Sequence, residues 1–280
     1  LGVSCAWQRE RFTMDEGLSK AVEHIFIELH KRDLIYRGQR LVNWDPNMQT
    51  SVSDLEVKHK EVNGHLWHFT YPFADGGEYN GEKGINIATT RPETILADGA
   101  IAINPKDPRA GDLVGRMVTV PIVNREIPII ADDYVDPDFG SGMVKITAAH
   151  DFNDFEVYKR HKVDVHIPLI NLMTPEAKMN ENCPEGYVGM DRFDARNKVI
   201  EDFKELGLFV KEEEHMHGVP HAERDDTILE PYLSNQWFVK GEPLAKKCLQ
   251  AADDGEVNFV NPRDEKVYRH WLNNIQDWCI

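Results

Sequence analysis

The chain has 280 residues, of which 41% are hydrophobic and 29% are charged, a composition typical of one or two globular domains. It contains no apolar run near the ~20 residues that span a bilayer and no secretory signal. Its four cysteines form no C-x-x-C pair, which argues against a disulfide scaffold or a thiolate zinc site and predicts a reducing, cytoplasmic location. The net charge of −16 argues against a free-standing nucleic-acid-binding protein. If the protein binds a polyanion, it does so through a local patch or with help from elsewhere.

The first elements along the chain are a helix and a series of strands. A helix is predicted from Thr13 to about Leu34, because Thr13 and Glu16 have capping-box spacing and apolar residues recur every three or four positions. Residues 60–170 predict short strands separated by Gly, Pro, Asp and Asn. These strands are "HLWHFTYPF", "GINIATT", "GAIAIN", "RMVTVPIV", "EIPIIADDYV", "GMVKITAA" and "VHIPLI". The first of them places Trp67, Phe69 and Tyr71 on one face.

The second half of the chain adds helices. Asp191 to Leu206 predicts a helix that Asp191 caps and Gly207 ends. A strand-like "QWFVK" and a final helical stretch follow. Many short strands at close spacing suggest a curved sheet. We therefore expect an α+β fold, with a β-barrel-like mixed sheet and surrounding helices.

One stretch, "GSGMVKITAAHDFND", places charged groups on a strand that otherwise looks buried. The period of two puts Lys145 and Thr147 on one face, and a buried ammonium needs an anion or a wet pocket. Asp151 and Asp154 then fall at the start of a helix, where a carboxylate is also ordinary capping chemistry. The stretch fits either a helix cap or a pocket for a small substrate with an ammonium and a hydroxyl.

A second motif, "ATTRPET", follows the strand "GINI". Pro92 suits the first position of a helix, and Thr90 or Arg91 would cap it. The motif fits a capped strand-to-helix turn. It also fits a cluster of hydroxyls and an arginine beside free N–H groups, which could bind a ribose, a phosphate or an attacking water.

Together, "TTRPET" and "GSGMVKITAAHDFND" resemble the editing (CP1) domain inserted into class I aminoacyl-tRNA synthetases of the valine, isoleucine and leucine group. The segments "RFTMDEGLSKAV", "LIYRGQRLVNWDP", "SVSDLEV", "LEPYLSNQWFV" and "WLNNIQDWCI" are similar to the valine-specific members, so the resemblance covers nearly the whole chain. Isoleucine or leucine specificity is the alternative within the group. The ATP-binding HIGH-type and KMSKS-type sequences are absent from the chain.

The resemblance implies a function, partners and site residues. It implies hydrolysis of threonine wrongly attached to the 3′ end of tRNA(Val), without metal or cofactor; ATP would serve only the synthetic domain of the parent ligase. The expected partners are tRNA(Val) and the rest of that ligase, in a monomer that binds no membrane. The implied catalytic residues are Thr94, His150, Asp151 and Asp154, and the implied substrate-binding residues are Thr89, Thr90, Arg91, Phe139, Lys145 and Thr147.

Several roles stay open at this point. Asp154 is expected to take the α-ammonium of the substrate, whereas the share of Asp151 in reading the hydroxyl is undecided. His150 could orient water or support its turn. A module that positions the tRNA end without catalysing anything alone is the alternative from another functional class.

Two further clusters have alternative interpretations. His215, His217 and His221 in "HMHGVPH" could bind zinc or belong to a docking loop. The basic run "YKRHK", Tyr158 to Lys162, could contact tRNA phosphates or form a solvated helix face.

The domain organisation follows from the resemblance. Residues 1–58 are expected to lead from the synthetic domain, residues 59–214 to form the editing domain, and residues 215–280 to form a return linker and docking segment. Because the chain lacks an initiator methionine and stops on an apolar run, we interpret it as an internal piece of a larger protein.

Overall fold

The structure, a computed structural model, describes Gly2 and residues 4–280. The chain divides into two compact units, one formed by Leu1–Arg40 with Asn235–Ile280 and the other by Leu41–Ser234. None of the helices in the described part has the length and apolar character needed to cross a lipid bilayer. The division at residues 58/59 and 214/215 stays a prediction.

The described residues form helices and strands in mixed order along the chain. The helices are α1 (Glu16–Lys31), α2 (Ala110–Leu113), α3 (Phe152–His161), α4 (Arg192–Glu205), α5 (Gly241–Asp253) and α6 (Pro262–Asn273). The strands are β1 (Ile35–Asp45), β2 (Thr50–Val52), β3 (Val57–Pro72), β4 (Gly84–Thr89), β5 (Ala100–Ile103), β6 (Met117–Val120), β7 (Arg125–Ala131), β8 (Met143–Ile146), β9 (Phe209–Ala222), β10 (Glu230–Val239) and β11 (Trp278–Cys279).

Two sheets build most of the unit Leu41–Ser234. In the first, β3 pairs antiparallel with β4 and β9, and its pairing with β9 runs from Val57↔Ala222 to Phe69↔Phe209. The second has the order β6-β7-β5-β8, with a parallel β5–β7 pair and antiparallel pairs on either side. The predicted α+β class with a mixed sheet is confirmed.

Aromatic side chains on β3 form the main core. Trp67, Phe69 and Tyr71 alternate along the strand as predicted, and all three are buried. Phe69 packs against Phe203 of α4 with 4.4 Å between ring centroids, and Tyr71 stacks near the same ring. Helix α4 therefore covers this face of the first sheet, and its cap is Asp191, as predicted, with Gly207 in the left-handed region just after it.

The second sheet separates two apolar clusters. Ala100, Ala102 and Ile146 pack with Val157 of α3 on one face, and Ile101 and its neighbours face the main core. Val144 packs on the α3 side, whereas Met143 belongs to the main core. The predicted alternation of β8 is confirmed, and it leaves Lys145 and Thr147 on the side away from α3.

Two predictions about local structure are wrong. Asp15, not Thr13, caps α1, because its carboxylate accepts a hydrogen bond from the N–H of Leu18 and the helix begins only at Glu16. "VHIPLI" is not a strand: Pro168 has no N–H to donate to a ladder, and Ile167 instead packs into the smaller apolar cluster.

The unit formed by Leu1–Arg40 with Asn235–Ile280 is held by fewer buried groups. Phe26 of α1 meets Trp237 edge to face at 5.3 Å, and Arg40 donates to Asp277. The end of β10 pairs with β11 through Phe238↔Cys279. No residue of α1 is buried in the described part of the chain.

The Phe69–Phe203 contact generates a stability prediction. Phe203→Ala should lower the free energy of unfolding by about 3–5 kcal/mol, because it leaves a cavity beneath Phe69. Urea unfolding followed by fluorescence measures this. Leu206→Ala, at an exposed position that ends the same helix, is the control and should change stability by less than about 0.5 kcal/mol. Equal losses in the two variants would contradict the assigned core.

Candidate functional site

A cavity of about 520 Å³ lies where β4, β8 and the first turn of α3 meet. All ten residues predicted for the site line it, although they come from three separate stretches of sequence. They are Thr89, Thr90, Arg91, Thr94, Phe139, Lys145, Thr147, His150, Asp151 and Asp154. The structure thus brings the predicted residues together, and their individual roles stay predictions.

Lys145 has the anion that its burial requires, and the anion is Asp98. The ammonium lies 3.1 Å from Asp98 and 2.8 Å from the Thr94 hydroxyl, and it also bonds the Thr147 hydroxyl. Asp98 further accepts from Thr147 at 2.5 Å and from the Tyr71 hydroxyl at 2.6 Å. Burial raises the pKa of Asp98, while Lys145 and the two hydroxyls oppose that rise. We call Lys145, Asp98, Thr147 and Thr94 the lysine cluster.

Strand register explains how the lysine cluster forms. β8 pairs antiparallel with β5 so that Lys145 lies opposite Ile101, and the N–H of Gly99 donates to the carbonyl of Ile146. Asp98 is therefore held just before β5, at the end of the buried 3-10 helix Pro92–Ala97. Asp98 was not predicted from the sequence, because it lies 47 positions before Lys145. The sequence signal that could have indicated Asp98 was a lysine on a buried strand, which needs a carboxylate partner.

Asp151 and Asp154 occupy different environments at the start of α3. Asp151 is the N-cap and accepts from the N–H groups of Asn153 and Asp154. Asp154 is buried, and its Oδ2 accepts from the N–H of Thr147 at 2.8 Å. Burial, together with the negative charge of Asp151, raises the pKa of Asp154 to about 8. Asp151 thus has a capping role beside its position in the cavity wall, and Asp154 is a carboxyl that would gain from a bound cation.

His150 is held by the backbone of a neighbouring loop. Its Nε2 accepts a hydrogen bond from the N–H of Leu172 at 2.9 Å. Burial and the positive charges of Arg91 and Lys145 lower the pKa of His150 to about 3, so the ring is neutral at physiological pH and its proton is on Nδ1. Among the described residues Nδ1 has no hydrogen-bond partner. This ring supports the turn and can donate a proton only in a hydrogen bond through Nδ1.

Arg91 is engaged by two carboxylates that sequence analysis did not single out. Its guanidinium bonds Glu93 at 3.0 Å, Glu230 at 2.5 Å and the carbonyl of His150 at 3.0 Å. Glu93 also binds Arg196, so that although burial opposes it, Arg91 and Arg196 hold the pKa of Glu93 at about 2. In this arrangement Arg91 fixes the wall of the cavity. The hydroxyl of Thr89, rather than that of Thr90, accepts a hydrogen bond from the backbone N–H of Arg91.

The rim of the cavity carries Phe139 and two histidines. Phe139 is half exposed and meets His215 at 5.7 Å, and His215 stacks on His217 along β9. Gly142 beside them has φ +70, and a Cβ there would lie 2.8 Å from the carbonyl of Pro137, so the loop requires glycine.

The two clusters with open interpretations lie on regular structure. Across the described residues, no group of three His, Cys, Asp or Glu side chains is arranged to hold a metal ion, and His221 bonds a backbone carbonyl within β9. In the basic run, Lys159 pairs with Glu156 and Arg160 with Asp132. These pairs neutralise much of the charge that a phosphate contact would use.

The lysine cluster generates a stability prediction. Asp98→Asn should cost about 3–5 kcal/mol, because it leaves a buried ammonium without its counter-ion. Adding Lys145→Met should recover part of the loss, since the unpaired charge is then removed. Urea unfolding of the single and double variants measures the coupling, with Asp133→Asn at an exposed site as control. Simply additive losses would refute the pairing.

The raised pKa of Asp154 predicts a pH-dependent stability difference. Between about pH 4 and pH 8 the folded state keeps a proton that the unfolded state loses, so the buried carboxyl destabilises the fold increasingly as pH rises. Asp154→Asn removes this penalty. Its advantage in unfolding free energy should grow from pH 5 to pH 8, by at most about 1.4 kcal/mol per pH unit. A difference that stays constant across this range would contradict the assignment.

The family of this chain is identified by its similarity to known proteins. Residues 1–280 match the family described as tRNA synthetases class I (I, L, M and V). The chain is 53% identical over its whole length to a valine–tRNA ligase of Anoxybacillus flavithermus, and 52% identical to those of Coxiella burnetii and Listeria monocytogenes. It spans 30–31% of the length of these relatives. On this evidence the chain belongs to the class I tRNA synthetase family.

Proposed function

We propose that this chain forms the proofreading site of a valine–tRNA ligase and hydrolyses the ester between threonine and the terminal adenosine of tRNA(Val). The observation that carries the proposal is the lysine cluster: Lys145, Thr147 and Thr94 line a cavity large enough for a small ligand, and the buried Asp98 bonds Lys145 and Thr147. The relatives named valine–tRNA ligase support the parent enzyme.

The chemistry of selection explains why such a cluster is useful. Threonine and valine have nearly the same shape, and in the well-known case of valine-specific synthetases a hydrophobic pocket distinguishes them only about 100-fold. A second pocket that requires the hydroxyl can discriminate further, because valine would leave buried polar groups unpaired. Lys145 and Thr147 line the cavity and already bond each other and the buried Asp98, so a threonine hydroxyl would take the place of one of these bonds, as an acceptor from Lys145 or as a partner of Thr147.

Asp154 is suited to the other end of the amino acid. Its burial penalises the carboxylate, and an α-ammonium bound beside it would offset that penalty. Binding of the substrate then lowers the pKa of Asp154 and ionises it. In this proposal Asp154 binds the α-ammonium that all amino acids share, and the lysine cluster binds the side-chain hydroxyl. Two parts of the cavity thus recognise two parts of the substrate.

Hydrolysis requires a positioned water and donors for the developing oxyanion. The water attacks the carbonyl carbon, the bond to the ribose oxygen breaks, and free threonine and the tRNA 3′ hydroxyl are released. The hydroxyl of Thr90 is a donor in the cavity wall, whereas the hydroxyl of Thr94 already donates to the carbonyl of Arg91. The Nδ1–H of His150 is buried and has no partner among the described residues. We assign no metal or cofactor to this step. ATP belongs to the aminoacylation reaction of the ligase.

The test is release of threonine from Thr-tRNA(Val) by the full-length ligase. Lys145→Ala and Asp154→Ala should each lower kcat/KM by about 100-fold or more, because each removes a buried group that binds the reacting amino acid. Lys83→Ala, at an exposed lysine in the loop before β4, is the control and should leave the rate unchanged. Deacylation that survives both site variants would refute the assigned site.

Two further arms separate the alternatives. A module that only positions the tRNA end, which the net charge of −16 favours, would show no turnover as an isolated chain and full turnover in the ligase. Equal hydrolysis of Val-tRNA(Ile) and Thr-tRNA(Val) would instead contradict the requirement for a hydroxyl and favour an isoleucine-type site.

A further inference from the structure

A second cavity, of about 590 Å³, adjoins the site and is lined by aromatic side chains. It shares Thr90, Arg91 and Asp151 with the first cavity, together with two residues of β9. Its own wall includes Phe152 and Phe193. We call this second cavity the aromatic groove, and it is continuous with the site at those shared residues.

We propose that the aromatic groove binds the base of the nucleotide that precedes the terminal adenosine of the tRNA. The inference rests on the proposed function, because only a tRNA substrate would place a nucleotide there. A terminal adenosine in the first cavity must be followed by single-stranded RNA that leaves along a neighbouring surface. Proteins bind such strands by stacking the bases on aromatic rings and arginine planes.

Phe193 and Arg196 form the platform for this base. The Phe193 ring is 39% exposed although it is large and apolar, and the Arg196 guanidinium lies 5.1 Å from its centroid. Two hydrogen bonds of 2.8 and 3.0 Å to Glu93 hold the Arg196 guanidinium in place. The platform is therefore preorganised, and Glu93 neutralises its charge, so it suits a base more than a phosphate.

Phe152 places the groove directly beside the reacting group. It is the first residue of α3 and follows Asp151, which lines both cavities. Its ring is also 39% exposed. A base bound in the groove would therefore lie next to the adenosine that carries the amino acid.

The other cavity beside the site is a poorer exit for RNA. It shares Tyr134 with the site, and its wall carries Asp132, Asp133 and Glu156 against a single guanidinium, that of Arg160. Arg160 pairs with Asp132 and Lys159 with Glu156, so the remaining charge of this wall is the negative charge of Asp133, and among the described residues Tyr134 is its one large aromatic side chain. Charge and lining therefore favour the aromatic groove.

A double-mutant cycle between protein and RNA tests the proposal in the full-length ligase. One substrate is Thr-tRNA(Val), and the other is the same threonylated tRNA with an abasic site at the penultimate position. On intact substrate Phe193→Ala should lower kcat/KM between about 5-fold and 150-fold, the effect of losing one stacked base. The abasic substrate should cause a similar loss in the unmodified enzyme, and the two changes together should cost no more than either alone.

Two variants make the cycle specific. Phe193→Trp should retain most of the rate on intact substrate, because it keeps an aromatic face. Leu206→Ala, an exposed apolar position beyond the end of α4, should behave as the unmodified enzyme on both substrates. Losses that multiply, or no loss with Phe193→Ala, would overturn the proposal.

A failure of the proposed function can be distinguished from a failure of the groove proposal. It would appear as an unmodified ligase that hydrolyses neither substrate. Binding of a non-hydrolysable analogue, with threonine linked to the RNA by an amide, keeps the groove testable in that case. Phe193→Ala should weaken its Kd, and an abasic analogue should remove the difference between the variants; equal Kd values for the intact analogue would refute the groove.

Discussion

The buried pair of Lys145 and Asp98 is the interaction on which the site depends. An ammonium inside a protein is tolerated only with a counter-ion and further hydrogen bonds, and breaking such a pair costs more than the pair itself contributes. Here Thr94, Thr147 and Tyr71 complete the set. The pair joins the end of a 3-10 helix to a strand of the second sheet, so the cavity wall and the packing of that sheet are maintained together.

A second charge network connects the cavity with the aromatic groove. Glu93 binds both Arg91, in the cavity wall, and Arg196, on α4, and Glu230 binds Arg91 and Arg192. The carboxylates and Arg192 are buried, whereas Arg91 lines both cavities and Arg196 lines the aromatic groove. In the proposed function this network would align the amino acid and the penultimate nucleotide without presenting a large positive field, consistent with a strongly acidic chain.

The surroundings of each ionisable group determine its role, which the residue type alone does not. His150 is neutral because it is buried beside two cations, and its ring accepts from a backbone N–H, so it is a donor through Nδ1 and not a base at Nε2. Asp151 and Asp154 differ by three positions, yet one caps a helix and the other lies buried with a raised pKa. Burial rather than composition makes this difference.

The sequence by itself determined the local features. Periodicity predicted the alternation of β3 and β8, and capping chemistry predicted the helix starts at Asp151 and Asp191, because these depend on neighbours within a few residues. The two motifs also predicted residues that line one cavity. Only the tertiary structure decided the partners: Asp98 for Lys145, Glu93 and Glu230 for Arg91, and Phe193 in the same cavity wall as Phe152. Strand register and helix packing bring these residues together across tens of positions, and no local pattern encodes that distance.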